Sequence, residues 1–238
     1  MGYEFKKDEK GYEYVVPCQC EMLKKERTKN KLSFANIPDA FKDMRLSNFR
    51  RDVYRNDESA KIIDVDCRAV DWWIEQIERM KNDGRGLYFY SKCKGSGKTR
   101  MATSIANELI YEHDMNVKFA TSVQIINEIK ASWDKEDGVS EHQLLDDLSR
   151  AEILIIDDFG METVRDWIEE KIYQIINQRY INKLITIFTS NLSIDELTYD
   201  DRITNRIKEK CYPLAFPNES VRDYISERNM AELKAAIG

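Results

Sequence analysis

Lys94-Gly95-Ser96-Gly97-Lys98-Thr99 places two of the chain's nine glycines directly before a lysine and a threonine. The segment follows an apolar, aromatic strand predicted over residues 87–91 and opens a helical pattern over residues 99–111. Glycines allow the backbone to curl so that its N–H groups and the helix N-terminus face phosphate oxygens. Lys98 would then reach the β- and γ-phosphates of a nucleotide, and the Thr99 hydroxyl would ligate magnesium. The segment therefore predicts a phosphate-binding loop between a strand and a helix.

The start of this loop departs from the usual pattern, G-x-x-x-x-G-K-[ST], because Lys92 stands where the first glycine is expected. The alternative interpretation is an ordinary Gly-Ser turn before a surface lysine. We favour the phosphate loop because a strand and a helix flank it and because a second motif follows downstream. Lys92 and Lys94 add positive charge beside the phosphates and restrict the backbone at the start of the loop.

The second motif is an aliphatic run, residues 153–156, that ends in Asp157 and Asp158. A continuous apolar run is typical of a central parallel strand, and acids at its carboxyl end lie where such sheets bind ligands. This pattern predicts a Walker B strand in which Asp157 holds magnesium and Asp158 orients or deprotonates the attacking water. Taken alone, the run could equally be a core strand that ends in a polar turn. Many such ATPases carry glutamate at the second position, so the shorter Asp158 predicts slow hydrolysis that DNA or a partner stimulates.

Composition predicts a globular, cytoplasmic protein. The chain has 238 residues, 42% of them hydrophobic, which is enough for one good-sized domain with an appendage. It shows no apolar run near the length of a membrane span and no signal-peptide core, so we expect no membrane partner. Its five cysteines are an odd number at scattered positions, which argues against a disulfide framework. A net charge of −6 excludes a global electrostatic attraction to nucleic acid but allows a local basic patch.

The chain divides near residue 50. Residues 1–50 are lysine-rich and predict a small N-terminal appendage with a linker, in which the apolar residues of segment 37–49 pack onto the main domain, residues 51–238. Cys18 and Cys20 suggest zinc only weakly, because a structural zinc site needs four ligands, and we expect none.

Strand and helix patterns alternate through the main domain, which predicts a parallel sheet between helices. Helices are predicted at 60–81, 99–111, 123–133, 140–150 and 167–180, and strands at 87–91, 117–120, 153–156, 184–189 and 212–216.

Four polar residues beyond the two motifs are candidates for the site. Asn191 follows the strand after Walker B, where it can reach the γ-phosphate or the attacking water; the alternative is a helix N-cap. Arg202 and Arg206 lie four residues apart on one helical face, and one of them is a candidate arginine finger supplied in trans. Arg206 is our first choice, with a surface salt bridge as the alternative. Arg222 is a candidate contact from the nucleotide's own subunit, or an arginine that only aids solubility.

At this point the sequence resembles the DnaC/DnaI-type replicative helicase loaders and the related IstB transposition ATPases, over roughly residues 34–228. The resemblance rests on segments 37–41, 94–99, 144–148, 155–162, 177–180, 189–192 and 220–222, and on Leu46, Phe49, Trp167, Arg202 and Arg206. A phage or mobile element would suit the short chain and the divergent loop.

The resemblance implies an α/β fold with an AAA+ P-loop core, a five-stranded parallel sheet in the order 5-1-4-3-2, and little or no lid domain. It further implies ATP and Mg²⁺ as cofactors, self-association in the ATP-bound state, and an N-terminal module that binds a DnaB-type helicase. Single-stranded DNA would be contacted from residues 121–150. There Lys130, Trp133 and Lys135 form a stacking candidate, although Trp133 as a core side chain is the favoured alternative.

The functional hypothesis is an ATP-dependent loader that delivers the helicase onto single-stranded DNA. One alternative is an IstB-like transposition ATPase that binds duplex DNA, and another is a non-hydrolysing, ATP-bound inhibitor of the helicase. The predicted catalytic residues are Asp158, Asn191, Arg202 and Arg206; the nucleotide contacts are Lys94, Gly95, Ser96, Gly97, Lys98, Thr99, Arg100 and Arg222; and the magnesium ligands are Thr99 and Asp157.

Overall fold

A five-stranded parallel sheet organises the computed structural model, which describes residues 3–7, 12–17, 21–133, 139–163 and 165–237. In chain order the elements are β1 (Tyr3–Lys7), β2 (Glu13–Pro17), α1 (Glu21–Ala35), α2 (Asp57–Glu75), α3 (Ile77–Asp83), β3 (Gly86–Tyr90), α4 (Lys98–Tyr111), β4 (Val117–Thr121), α5 (Ser122–Trp133), α6 (Val139–Arg150), β5 (Ile153–Asp157), α7 (Asp166–Ile181), β6 (Ile185–Ser190), α8 (Asp201–Lys210), β7 (Cys211–Ala215) and α9 (Val221–Ile237). The sheet order is β4-β5-β6-β3-β7, with all neighbours parallel. Numbered from the first sheet strand, this is the predicted order 5-1-4-3-2 read from the other edge, and the fold class is confirmed.

Helices cover both faces of the sheet, which is why the central strands are apolar throughout. In β5, Ile153 and Ile155 pack into one buried cluster and Leu154 and Ile156 into the other. The first cluster contains side chains from α2, α3 and α4, and the second contains side chains from α5, α6, α7 and α8. The alternation of helices and strands predicted from the sequence therefore produces a three-layer arrangement.

Helix α1 and the linker that follows it pack onto the main domain. Strands β1 and β2 form an antiparallel hairpin, and α1 lies against β4 and α4. Ile37 is buried in the core, with Phe41 and Phe49 packed against it, as predicted for the linker. Asn107 of α4 donates to the carbonyls of Phe41 and Met44, at 2.9 and 2.8 Å. These hydrogen bonds fix the linker to the helix that follows the phosphate loop. Cys18 and Cys20 lie outside the described residues, and the boundary near residue 50 stays a prediction.

The prediction of one helix over residues 60–81 is wrong in one respect, because the chain forms two helices that meet at Gln76. The first, α2, is capped by Asn56, whose side chain accepts from the backbone N–H of Glu58 at 2.8 Å. After α3, glycine is required at position 86, since a Cβ there would lie 1.8 Å from the carbonyl oxygen of Thr186. This close approach lets β3 pair with β6 at the centre of the sheet.

Within the described part of the chain, no helix is both long and apolar enough to cross a membrane.

Candidate functional site

The loop between β3 and α4 has the backbone curvature that phosphate binding needs. Gly95 and Gly97 have φ values of 85° and 99°, in the region that favours glycine. A Cβ at Gly97 would lie 2.7 Å from the Tyr54 hydroxyl, so a larger residue there would have to displace the Tyr54 side chain as well as adopt a strained backbone. Lys92 is not among the non-glycine residues with positive φ. The missing first glycine therefore imposes no such strain on the loop.

Lys98 is enclosed by this loop and is only 5% exposed. Its Nζ donates to the carbonyls of Ser91 and Cys93 at 3.2 and 3.1 Å, and to the Ser96 hydroxyl at 3.3 Å. Burial lowers the pKa of this amine, while nearby carboxylates oppose that shift. Its hydrogen-bond partners in the described structure are neutral oxygens, so its charge is available to an anion that enters the loop.

Asp157 ends β5 and contacts Thr99 of α4 and Thr189 of β6. Its Oδ1 accepts from the hydroxyls of Thr99 at 2.8 Å and Thr189 at 2.5 Å. Burial raises the pKa of this carboxyl, and the two hydroxyls partly counter that rise. A carboxylate oxygen beside a hydroxyl oxygen is the kind of hard donor pair that Mg²⁺ takes together with nucleotide phosphates and water. A cation would also compensate the buried charge, so Thr99 and Asp157 fit magnesium.

Asp158 is held in a left-handed conformation with φ of 55°. Its backbone N–H donates to the Thr189 hydroxyl at 3.0 Å, and its carbonyl accepts from the Ser122 hydroxyl at 3.0 Å. Aspartate tolerates this region better than most residues. Thr189 therefore positions both acids, a role that sequence reasoning missed, although the residue stands two positions before the predicted Asn191.

A cavity of about 480 Å³ lies over the loop at the carboxyl end of the sheet. Its lining brings together most of the predicted site: Lys94, Gly95, Ser96, Gly97, Lys98, Thr99, Arg100, Asp158, Asn191 and Arg222. Phe41, Val123, Met161, Val221 and Ile225 complete it and give it an apolar side. A cavity with a phosphate loop, an acidic side chain and an apolar wall is chemically suited to a nucleotide.

Two of the predicted residues reach this cavity from later elements. Asn191 follows β6, and its Nδ2 donates weakly to the Met161 sulfur at 3.4 Å. Arg222 lies in the first turn of α9, and its side chain lies close to Gly95 of the loop. A Cβ built at Gly95 would be 3.2 Å from the Arg222 side chain. The N–H of Val221 donates to the Gly95 carbonyl at 3.0 Å, which ties α9 to the loop.

Arg202 and Arg206 do not line the cavity, since both lie on α8. Arg202 pairs with Asp200 at 2.9 Å and has a side chain that is 65% exposed. Arg206 donates to the Arg202 carbonyl at 2.6 Å and packs against Tyr173 and Tyr180. Neither arginine contacts the nucleotide cavity of its own chain, and action in trans stays a prediction.

Contacts that the sequence analysis did not predict also support the loop. The Tyr54 hydroxyl donates to the Ser96 carbonyl at 2.7 Å, and Arg100 Nη2 donates to the Asn48 carbonyl at 3.1 Å. Lys92 forms an ion pair with Glu196 at 2.8 Å, and this contact is the main cause that lowers the pKa of Glu196 to about 2. The Tyr54 contact joins positions 42 residues apart, so no local pattern could reveal it.

The proposed single-strand contact is described only in part. Lys130 Nζ lies 5.6 Å from the centre of the Trp167 ring, an aromatic residue on α7 rather than the predicted Trp133. The side chain of Trp133 and the whole of Lys135 lie outside the described residues, so their part in the prediction stays untested.

The sheet order, the loop after its first strand and the acid pair after its third define a P-loop ATP-binding domain of the AAA+ type. The model of the IstB-like ATP binding protein family matches residues 25–227, and the chain belongs to this family.

Named relatives agree with that assignment. The replicative helicase loader DnaC of Escherichia coli K12 is 31% identical over 123 residues, covering 51% of this chain and 49% of the relative. The replicative helicase loader DnaI of Bacillus subtilis 168 is 36% identical over 124 residues, covering 50% and 38%. The phage-like element PBSX protein XkdC of the same organism is 25% identical over 207 residues, covering 84% and 73%. The match thus spans about half or less of the length of the two named loaders.

A solved structure shows the same fold. The crystal structure of the DnaC helicase loader superposes with a TM-score of 0.62 at 20% identity, covering 76% of this chain and all of that one.

Proposed function

We propose that this protein is an ATP-dependent loader that binds a DnaB-type replicative helicase and delivers it onto single-stranded DNA in the cytoplasm. The observation that carries the proposal is the junction of Lys98, Thr99 and Asp157 beneath one cavity at the carboxyl end of the sheet. The named relatives DnaC and DnaI support the choice among the many ATPases that share such a junction.

Different residues at the cavity would bind the phosphates of ATP, hold magnesium and activate the attacking water. The loop N–H groups and Lys98 would bind the phosphates, and Arg222 would contact them from α9. Magnesium held by Thr99 and Asp157 would offset the negative charge of the phosphates. Asp158 and Asn191 would orient the attacking water, with Asp158 accepting its proton. Arg206 of a second copy would complete the site by stabilising charge on the transferred phosphoryl group.

Loading would follow from differential binding. ATP holds neighbouring subunits together because the nucleotide contacts both its own loop and the neighbour's arginine, whereas ADP lacks the phosphate that this arginine binds. The assembled subunits would hold the helicase through the N-terminal segment while single-stranded DNA enters. Lys130, which lies beside Trp167, is the described candidate for a DNA contact. Hydrolysis would then release the loader.

Light-scattering mass of the protein mixed with its cognate replicative helicase tests this proposal. The measurement compares ATP with ADP for the wild type, Lys98→Ala and Lys92→Ala. Lys92 is a matched lysine from the same loop that does not line the cavity. We expect a complex in ATP that persists in Lys92→Ala and is lost in Lys98→Ala and in ADP. No complex under any condition contradicts the loader, and tight binding to duplex DNA alone would then favour the IstB-like alternative.

Turnover separates a loader from an inhibitor that binds the same helicase. We expect ATP hydrolysis that single-stranded DNA stimulates and that Asp158→Ala abolishes. A helicase complex without any such hydrolysis would favour the inhibitor.

A further inference from the structure

The two arginines of α8 are held in different ways. Arg202 is neutralised by Asp200, which accepts from its Nε at 2.9 Å and from its Nη2 at 3.5 Å. Arg206 has no carboxylate within salt-bridge distance in the part of the chain that the structure describes. Its Nε is buried and has no hydrogen-bond acceptor. Arg206 therefore keeps an uncompensated charge and an unused donor, which are the properties of a cation that awaits an anion.

An aromatic shelf takes the place of the missing carboxylate. The Arg206 guanidinium carbon lies 5.1 Å from the centre of the Tyr173 ring and 5.4 Å from that of Tyr180, and both tyrosines belong to α7. The Tyr173 hydroxyl also accepts from Arg206 Nη2 at 3.4 Å. The same ring lies 4.9 Å from the Arg202 guanidinium carbon. Tyr173 is thus the side chain that contacts both arginines.

An aromatic ring and a carboxylate differ in what they leave for a ligand. A ring attracts a guanidinium through its quadrupole without cancelling its charge, whereas a carboxylate competes directly with an incoming phosphate. The ring also limits the rotamers of a long side chain, so less conformational entropy is lost when the phosphate binds. A shelf of tyrosines is therefore a suitable support for an arginine that must remain both charged and oriented.

We propose that Tyr173 is a positioning residue that presents Arg206, through its ring more than its hydroxyl, to the phosphates of ATP bound by a neighbouring copy of this chain. The inference rests on the proposed function, in which Arg206 acts in trans. It assigns to α7 a part in hydrolysis although no residue of α7 lines the nucleotide cavity.

Three variants test the role of the ring: Tyr173→Leu, Tyr173→Phe and, as a reference, Arg206→Ala. We expect Tyr173→Leu to lower assembly-dependent ATP turnover about tenfold and Tyr173→Phe to lower it about twofold or less. Binding of a fluorescent ATP analogue to the isolated subunit should be unchanged in all three, because the shelf lies away from the cavity. Equal losses in the Phe and Leu variants would contradict a role for the ring.

Mixing experiments distinguish positioning in trans from general damage. An Asp158→Ala subunit lacks the carboxylate that activates water but keeps its arginines and its shelf. Mixed with Tyr173→Leu, it should restore turnover well above the sum of the two alone, because its Arg206 serves the intact sites of the partner variant. A mixture without recovery overturns the inference. Mixing Asp158→Ala with Arg206→Ala tests the proposed function separately. Recovery in that mixture, without recovery in the mixture with Tyr173→Leu, would reject the positioning role of Tyr173 and leave the action of Arg206 in trans intact.

Discussion

Lys98 and Asp157 at the nucleotide site differ from Arg206 on α8 in how their polar atoms are satisfied. In the cavity, Lys98 and Asp157 each have two or more hydrogen-bond partners from their own chain, at distances of 2.5 to 3.3 Å. On α8, Arg206 retains a buried Nε without an acceptor. An unsatisfied buried donor is costly, and Arg100 at the cavity has one as well; for Arg206, a phosphate bound by a second copy would supply the acceptor. Under the proposed function, the chain would build the phosphate-binding half of the ATPase site by itself, and a second copy would supply the cationic half.

The largest expected effect is on turnover when that cationic half is removed. Arg206→Ala should lower assembly-dependent ATP hydrolysis about 10³-fold, since fingers in related NTPases contribute about 10³- to 10⁵-fold. Arg202→Ala is the matched control on the same helical face. It should cost less than about tenfold, because Arg202 is already paired with Asp200 and exposed. Steady-state hydrolysis at protein concentrations above and below assembly checks both variants. A larger loss in Arg202→Ala would reverse the comparison and make Arg202 the finger.

The sequence predicts the cavity side far better than the α8 side. The loop and the acid pair are local patterns whose spacing follows from the chemistry, and the sheet order then brings them together. Tyr54 and Thr189 were missed because their contacts depend on tertiary packing between distant segments. The arginines of α8 were found as a pair, but only the structure distinguishes the paired Arg202 from the unpaired Arg206. Sequence spacing places two side chains on one helical face, but it does not show which side chains each of them contacts.

A buried arginine, Arg179, sharpens the comparison, because each of its side-chain nitrogens has an acceptor. Arg179 of α7 is 1% exposed and donates to the carbonyls of Leu148, Ala151 and Ile185 and to the Thr186 hydroxyl, at 2.5 to 2.9 Å. Two of these carbonyls lie at the C-terminal end of α6, where the helix dipole favours a cation. Burial lowers the pKa of this guanidinium to about 9. Arg179 therefore joins α6, α7 and β6 as a structural cation.

Removing this structural cation should affect stability rather than chemistry. Arg179→Met leaves buried carbonyls without donors, and we expect a loss of about 3 kcal/mol in the free energy of unfolding. Arg165→Met is the matched control, since Arg165 is an exposed arginine at the start of the same helix. Denaturant unfolding measures both. A loss below about 1 kcal/mol in Arg179→Met would mean that its hydrogen bonds are replaced by water or by neighbouring side chains.

The smallest expected effect concerns a buried acid on α2. Asp66 of α2 is 4% exposed, and its Oδ2 has no hydrogen-bond partner. Burial raises the pKa of this carboxyl from 3.8 to about 7. Its charge, when present, would also oppose ionisation of Tyr54, whose hydroxyl supports the loop at Ser96. Like Arg206 it is an unsatisfied polar group, but no ligand is needed to explain it, because a proton can neutralise it.

The sign of the resulting pH dependence follows from proton linkage. Between pH 4 and 7 the unfolded chain has released the Asp66 proton while the folded chain keeps it, so stability falls as the pH rises, by up to about 1.4 kcal/mol per pH unit. From pH 5 to 6.5 this contribution amounts to about 2 kcal/mol. Asp66→Asn cannot ionise and should remove that slope, whereas Asp71→Asn, at an exposed position on the same helix, should leave it unchanged. Unfolding at a series of pH values measures the slope. Equal slopes in the wild type and Asp66→Asn would show that the Asp66 carboxyl is ionised in the folded state, and that α2 holds an uncompensated charge just as α8 does at Arg206.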